Sequence, residues 1–253
     1  MPGMKTCLVT GAGGGIGKSI VKRFLMEGFH VAMIDLDADR LNEIVAEEGI
    51  SREDVSIYTF DITKEDTVQE GIEAIMKETG SIDVLVNAAG ICGEYALACD
   101  YDFTNFRRIY EVNVFGTFLM MKYALPHLIE SKGCIVNFGS VSGIQGYKYE
   151  VGYGSSKAAV IEMTRNIANE YGCEGVRCNS VSPGWVNTCM MEKTIDSYRK
   201  IGIEEPEKGI CLGSIRRPAE PEEIADAVYY LSSKEASYIN GANLVIDGGM
   251  IIQ

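Results

Sequence analysis

Seven short apolar runs of strand character alternate along the whole chain with stretches whose apolar residues recur at helical spacing. The runs are "KTCLVT", "HVAMID", "VSIYTFD", "IDVLVNAAG", "GCIVNFGS", "VRCNSVSPG" and "ANLVIDGG". In the first interval, Ile16, Ile20 and Phe24 with their neighbours Val21 and Leu25 mark one helical face. Further helices are predicted in "ADRLNEIVAEEG", at about 64–79, about 103–131 and about 152–171, and in "EPEEIADAVYYLSS". Strand, helix and strand in this order specify parallel units wound on both faces of one sheet. The expectation is an α/β fold, a single domain over residues 1–253 with a doubly wound parallel sheet of about seven strands. No linker, repeat or low-complexity segment interrupts it. The long irregular stretch at about 186–218 is expected to be a substrate loop or lid.

With 253 residues, 46% of them hydrophobic, and only 6 prolines, the chain can bury a large core. A net charge of -13 removes the basic footprint needed for nucleic acid or an anionic membrane. "MPGMKTCLVTG" lacks the regions of a signal peptide, and the longest apolar stretch is broken by Lys122 and Pro126. A soluble, cytoplasmic protein is expected. The eight cysteines form no CxxC and no metal-like cluster with histidine, so reduced thiols and no metal are expected. His30 and His127 have no acidic or cysteine partner in sequence and read as packing residues.

"TGAGGGIG", residues 10–17, lies between the first strand and the first helix, where a glycine-rich turn offers helix amides to a pyrophosphate. Its spacing, Gly11-xxx-Gly15-x-Gly17, departs from GxGxxG and could also serve a tight turn. Asp35 ends the second strand, where a carboxylate can accept hydrogen bonds from an adenosine ribose and repel a 2'-phosphate. Position 36 is Leu and the turn holds no cation, so NAD is favoured over NADP. Capping of the next helix is a compatible role for Asp35.

"YGSSKAAV" places Tyr153 and Lys157 four apart, on one face of a helix. A cation beside a phenol whose ordinary pKa is ~10 favours phenolate and makes proton exchange near neutrality accessible. Taken alone, the pair also fits a surface tyrosine packed on a lysine stem.

With "TGAGGGIG", "NAAG" at 87–90, "YEVNVFG" at 110–116, "IVNFGS" at 135–140 and "SPGWVNT" at 182–188, the sequence resembles the short-chain dehydrogenase/reductase family from end to end. The resemblance implies a Rossmann-type fold and an NAD(H)-dependent exchange between a secondary alcohol and a ketone. It implies Tyr153 as general acid/base, Lys157 as its pKa-lowering partner and a ligand of the nicotinamide ribose, and Ser140, thirteen residues before the tyrosine, as the holder of the substrate oxygen. Asn113 would complete the tetrad through a water relay to Lys157. Gly11, Gly15, Ile16, Gly17, Asp35, Asp61, Ile62, Asn87, Pro183, Gly184, Val186 and Thr188 match cofactor-binding positions. Asn87 could instead stabilise the sheet, Thr188 cap a helix, and Pro183-Gly184 form a turn. "NAAG" replaces the commoner "NNAG" and keeps its first asparagine and its glycine. A homotetramer is implied too, packed through the helices at about 103–131 and 152–171, where Phe115, Phe118, Leu119, Ile161 and Met163 occupy more than one face.

Residues after Ser140 and after Pro183 should line the substrate space: Ser142, Ile144, Gln145, Tyr147, Tyr149, Trp185, Met190 and Met191. This apolar and aromatic set suits a small-molecule cyclic alcohol or ketone, such as a hydroxysteroid or bile acid. Polyols and 3-ketoacyl groups stay open, as does a non-catalytic NAD sensor. A serine hydrolase is disfavoured because "GSVSG" has the wrong offset for a nucleophile elbow.

Overall fold

The computed structural model describes residues 4–206 and 212–252. Its strands are β1 (Thr6–Thr10), β2 (His30–Asp35), β3 (Val55–Thr59), β4 (Val84–Asn87), β5 (Cys134–Phe138), β6 (Arg177–Pro183) and β7 (Asn243–Ile246). They pair in parallel in the order β3-β2-β1-β4-β5-β6-β7. The helices are α1 (Gly15–Met26), α2 (Ala38–Glu47), α3 (Glu65–Thr79), α4 (Phe103–Tyr110), α5 (Thr117–Ser131), α6 (Val151–Tyr171), α7 (Cys189–Lys200) and α8 (Pro221–Ser232). The chain adds β2 and β3 on one side of β1, then crosses to β4 on the other. A crevice therefore opens at the carboxyl ends of β1 and β4.

Alternation along each strand divides the core into two layers. Cys7 and Val9 of β1, Val31 and Met33 of β2, and Val84 and Val86 of β4 face α1, α2 and α8, where Phe24, Ile44 and Val228 meet them. Leu8, Ala32, Ile34 and Leu85 face the other way, against Ile72 and Ile75 of α3, Met120 and Leu128 of α5, and Ile167 of α6. Strands covered on both faces, such as β1 and β2, read as near-continuous apolar runs. Each fully buried Leu, Ile or Phe contributes ~1.5–3 kcal/mol. Cys7, Cys134 and Cys178 fill this core as free thiols, and burial pushes all three above the ordinary thiol range. Cys211 lies outside the described residues.

Two elements differ from the expectations. The helix predicted over about 103–131 is interrupted by a π turn, Glu111–Gly116, between α4 and α5. One extra residue in the turn brings Asn113 fully inside and leaves Gly116 against Ile62, where a Cβ would stand 2.8 Å from the Ile62 side chain. The region expected to be irregular at about 186–218 contains α7, which has a buried Thr194 and an acidic first turn at Glu192. Residues 207–211 of that region lie outside the described residues.

The turn after β1 rests on close backbone approach. Gly11 has φ +68, and a Cβ there would stand 2.8 Å from the Ala89 Cα. A Cβ on Gly17 would overlap the Gly11 carbonyl oxygen. Gly17→Ala is therefore expected to destabilise the protein by about 2–3 kcal/mol. Gly146→Ala, where a Cβ meets nothing within 4 Å, should stay within about 0.5 kcal/mol of wild type. Urea denaturation of both variants checks this, and equal midpoints would refute the packing argument.

Candidate functional site

Beyond Phe138, the last residue of β5, the chain passes Gly139 and Ser140 and makes a single 3-10 turn, Val141–Gly143. This turn presses on α6: a Cβ on Gly143 would stand 2.8 Å from the Ala158 nitrogen, and one on Gly154 would stand 2.7 Å from the Ser142 carbonyl oxygen. The two glycines thus set Ser140 beside the first turns of α6. Ser140 Oγ accepts from the Ser142 amide at 3.2 Å.

On α6, Lys157 is buried and its Nζ donates to the Phe138 carbonyl at 2.9 Å, tying the helix to the end of β5. The same Nζ stands 5.7 Å from the centroid of the Tyr153 ring. Asn113 reaches the group from behind. Its Oδ1 accepts from the Ile91 amide at 2.8 Å, and its Nδ2 donates to the Ile91 carbonyl at 2.9 Å and to Ser156 Oγ at 3.0 Å. Asn113 Oδ1 and Lys157 Nζ flank Gly90, at 3.2 and 3.3 Å from where its Cβ would be. The fold thus brings Asn113, Ser140, Tyr153 and Lys157 into one cluster, and the last three line a cavity of about 390 Å³.

Burial governs the electrostatics. Desolvation lowers Lys157 to about 8, opposed only by the Cys92 thiol. Tyr153 is pushed well above its ordinary value, first by desolvation and then by Cys92; the Ser140 hydroxyl pulls it back and Glu150 raises it again. The sequence predicts that Lys157 lowers Tyr153; without cofactor, desolvation dominates and holds the phenol up, while Lys157 Nζ bonds the Phe138 carbonyl.

Of the residues expected to hold a cofactor, Ile16, Pro183, Gly184, Val186 and Thr188 line the cavity. Gly15 adjoins Thr188, whose methyl is 2.8 Å from a Cβ built on that glycine. Thr188 occupies the N-cap position of α7 without a capping hydrogen bond. The N-terminus of α1 has neither a side-chain cap nor an acidic residue in its first turn. Asp35, half-buried at the end of β2, accepts from the Gly13 and Leu36 amides at 2.9 and 2.7 Å; Asp37 is the residue that caps α2. Asp61 lies past the end of β3 and accepts from Thr63, while Ile62 packs on Gly116. The Asn87 side chain is turned into the sheet, where its Nδ2 donates to Asn137 Oδ1 at 2.8 Å. Its own Oδ1 has no partner, and the neighbouring Ala88 and Gly90 line the cavity instead.

Among the expected substrate residues, Ser142, Tyr147, Tyr149, Trp185, Met190 and Met191 line the cavity. Ile144 and Gln145 do not. The amides of both bond back to the Val141 carbonyl, and this turn rotates their side chains into solvent. Sequence reasoning missed Cys92, Tyr95, Glu150, Thr194 and Tyr198, all of which line the cavity. Tyr95 bonds Thr194 at 3.0 Å and meets the Tyr198 ring edge-on at 4.8 Å. Tyr198 donates to Glu150 Oε1 at 2.9 Å. Thr194 and Tyr198 are four apart on α7, a spacing legible only once that stretch is read as a helix. Neither histidine lines the cavity, which leaves Ser140 without an imidazole base. No group of three or more metal-binding side chains occurs among the described residues, and none of their helices is long and apolar enough to cross a membrane.

Residues 11–251 match a family model described as enoyl-(acyl carrier protein) reductase. The chain is 37% identical to 3-oxoacyl-[acyl-carrier-protein] reductase FabG of Thermotoga maritima over 250 residues, covering 98% of each. In structure it is similar to ElxO with NADP bound (TM-score 0.90, 34% identity, 99% of this chain and 100% of that one). It is equally similar to NAD+-bound xylitol dehydrogenase (TM-score 0.90, 32% identity, 97% and 98%). The parallel seven-stranded fold and these likenesses, which run the length of the chain, establish that it belongs to the short-chain dehydrogenase/reductase family, nicotinamide-dependent oxidoreductases that act on CH–OH groups.

Proposed function

We propose that this protein is an NAD-dependent oxidoreductase that interconverts a secondary alcohol and a ketone on a largely apolar, cyclic small molecule, such as a hydroxysteroid, bile acid or cyclic alcohol. One observation carries this reading. A phenol and a buried ammonium share one face of α6 at a cavity that Ser140, beside the first turns of that helix, also lines. When bound, the nicotinamide supplies or accepts the hydride. Tyr153 gives a proton to the substrate oxygen in reduction and takes it in oxidation, while Ser140 holds that oxygen. Lys157, fixed by Phe138, stabilises the phenolate and reaches the nicotinamide ribose. Asn113 acts as a positioning residue by locking the Ile91 backbone and Ser156.

The chain's own groups fit a dinucleotide. The Gly11–Gly17 contact holds the turn where Cβ atoms would fill it, and the uncapped start of α1 suits a pyrophosphate. Asp35 suits an unphosphorylated ribose. Arg40 also lies beside the loop, its Cγ 3.4 Å from a Cβ built on Gly13, but its guanidinium is turned to Glu43 and Glu47. Trp185, Met190 and Met191, with Ile203 and Pro206 beyond α7, support the lid role of 186–218. Exposed Phe103, Phe115, Phe118 and Val151 on α4, the π turn, α5 and α6 support a homotetramer, whereas Ile161 is buried within the chain. The net charge of -13 supports a soluble, cytoplasmic enzyme with no nucleic-acid or membrane partner.

Tyr153→Phe should bind NADH as wild type does and lose at least about a hundredfold in turnover; substantial residual turnover would remove the acid/base assignment. NAD should exceed NADP in kcat/KM, and Asp35→Asn should narrow that ratio by about tenfold, as loss of one like charge near a phosphate allows. A ratio that does not move would locate cofactor choice elsewhere. Lys157→Met should abolish turnover yet stabilise the protein without cofactor. Desolvation lowers the lysine to about 8, so its protonated form destabilises the fold at pH 7, and the substitution removes that cost at the loss of one bond to Phe138. The native lysine releases its proton near pH 8 and the unfolded one near ~10.4, so wild-type stability rises across that window and the advantage of the variant fades. Thermal melts at pH 7 and pH 10 would show this, and a lower melting temperature for the variant at pH 7 would contradict it.

A further inference from the structure

Glu150 is the N-cap residue of α6, one turn before Tyr153, and its side chain makes no capping hydrogen bond to the helix. It is only 9% exposed. Its Oε1 accepts from the Tyr198 hydroxyl of α7 at 2.9 Å, and the Ser142 hydroxyl also bonds the carboxylate. Burial raises Glu150, and these two hydroxyls draw it back towards the carboxylate range. Both donors are neutral, and no described salt bridge includes Glu150, so its charge is held without being cancelled. Residues three apart on a helix have Cβ atoms ~5–6 Å apart, which sets that charge beside the phenol. The other titratable groups around the pair are Cys92, Tyr95 and Tyr101 after β4, Tyr147, Lys148 and Tyr149 before α6, Lys157 on α6 and Tyr198 on α7. Burial pushes Cys92, Tyr95, Tyr101 and Tyr198 up, which keeps them neutral, and Lys148 is exposed with its Nζ over the Tyr149 ring. Within the buried site, Glu150 is the carboxylate and Lys157 the ammonium that flank Tyr153 along α6.

We propose that Glu150 is a positioning residue that acts through Tyr153: its buried charge opposes that of Lys157, keeps the phenol protonated, and so favours proton donation to a ketone over proton removal from an alcohol. This rests on the alcohol–ketone reading above. A negative charge close to an acid disfavours loss of its proton, and a positive one favours it. Glu150 adds to the rise of Tyr153, after desolvation and Cys92 and against the Ser140 hydroxyl. The effect acts through space, so Glu150 needs no contact with the substrate. The proton still passes only between the phenol and the substrate oxygen.

The test follows kcat/KM against pH in the full chain, for cyclohexanol with NAD and for cyclohexanone with NADH. Glu150→Gln keeps an acceptor for Tyr198 and removes the charge. It should move the rising limb of oxidation and the falling limb of reduction to lower pH by about one unit. Below the limb the variant should then oxidise cyclohexanol about tenfold faster than wild type, and above it reduce cyclohexanone about tenfold more slowly. Glu150→Asp, which keeps the charge, should hold both limbs within about 0.3 unit of wild type. Unmoved limbs in Glu150→Gln, equal shifts in both variants, or a uniform loss in both directions would mean that Glu150 only anchors α7 and would overturn the proposal. Those outcomes leave the oxidoreductase reading standing; wild-type protein that binds NADH but oxidises no alcohol and reduces no ketone would overturn both.

Discussion

Parallel pairing imposes one condition on this chain: each helix must carry the backbone from the carboxyl end of one strand to the amino end of the next. All seven carboxyl ends therefore open on the same edge, and every segment free to vary without breaking a ladder lies there. Asp35, Ala88 to Gly90, Ser140 and Pro183 come from four strand ends far apart in sequence, and none needs a long loop to reach the same crevice. The sheet is a device for convergence. What the loops then do is decided by how closely the backbone can approach, which is the task of Gly11, Gly17, Gly143 and Gly154.

The reacting groups illustrate how position converts ordinary residues into chemistry. Lys157 could lie extended on a surface helix; here the Phe138 carbonyl and a dry surround fix it at low pKa. Its retention costs stability, as is usual where function requires a buried charge. Asn113 makes no contact with the cavity and holds a backbone turn and a serine through three hydrogen bonds. A polar network of Asn87, Asn137 and Thr164 cross-links β4, β5 and α6 beneath the same cluster, so the site rests on a rigid base.

Much of this was legible in the sequence. All seven strands were: central ones such as β1, β2 and β4 are buried and read as apolar runs, while β6, which is rich in Asn and Ser, was legible from its place in the alternation. Tyr153, Lys157 and Ser140 were legible through spacing and through resemblance to the family. Three features were not. The π turn leaves no mark in hydrophobic periodicity, since one inserted residue shifts the phase without removing it. Gln145 resembles a pocket residue by proximity to Ser140, but direction in a 3-10 turn is set by backbone bonds to Val141. Glu150 reads as an ordinary acidic residue before a helix, and only the three-dimensional pairing with Tyr198 on α7 reveals that its carboxyl group points away from the helix amides. Local pattern predicts elements; side-chain direction depends on partners distant in sequence.

The π turn also has a consequence for change over generations. A helix advances about 100° per residue, so deleting any one residue between Glu111 and Gly116 would restore regular helix and swing α5 relative to α4, carrying Asn113 off Ile91 and the Met120 and Leu128 face off the sheet. Lengthening by one would do the same in the opposite sense. This segment is therefore frozen in length, and at Asn113 and Gly116 in residue type as well.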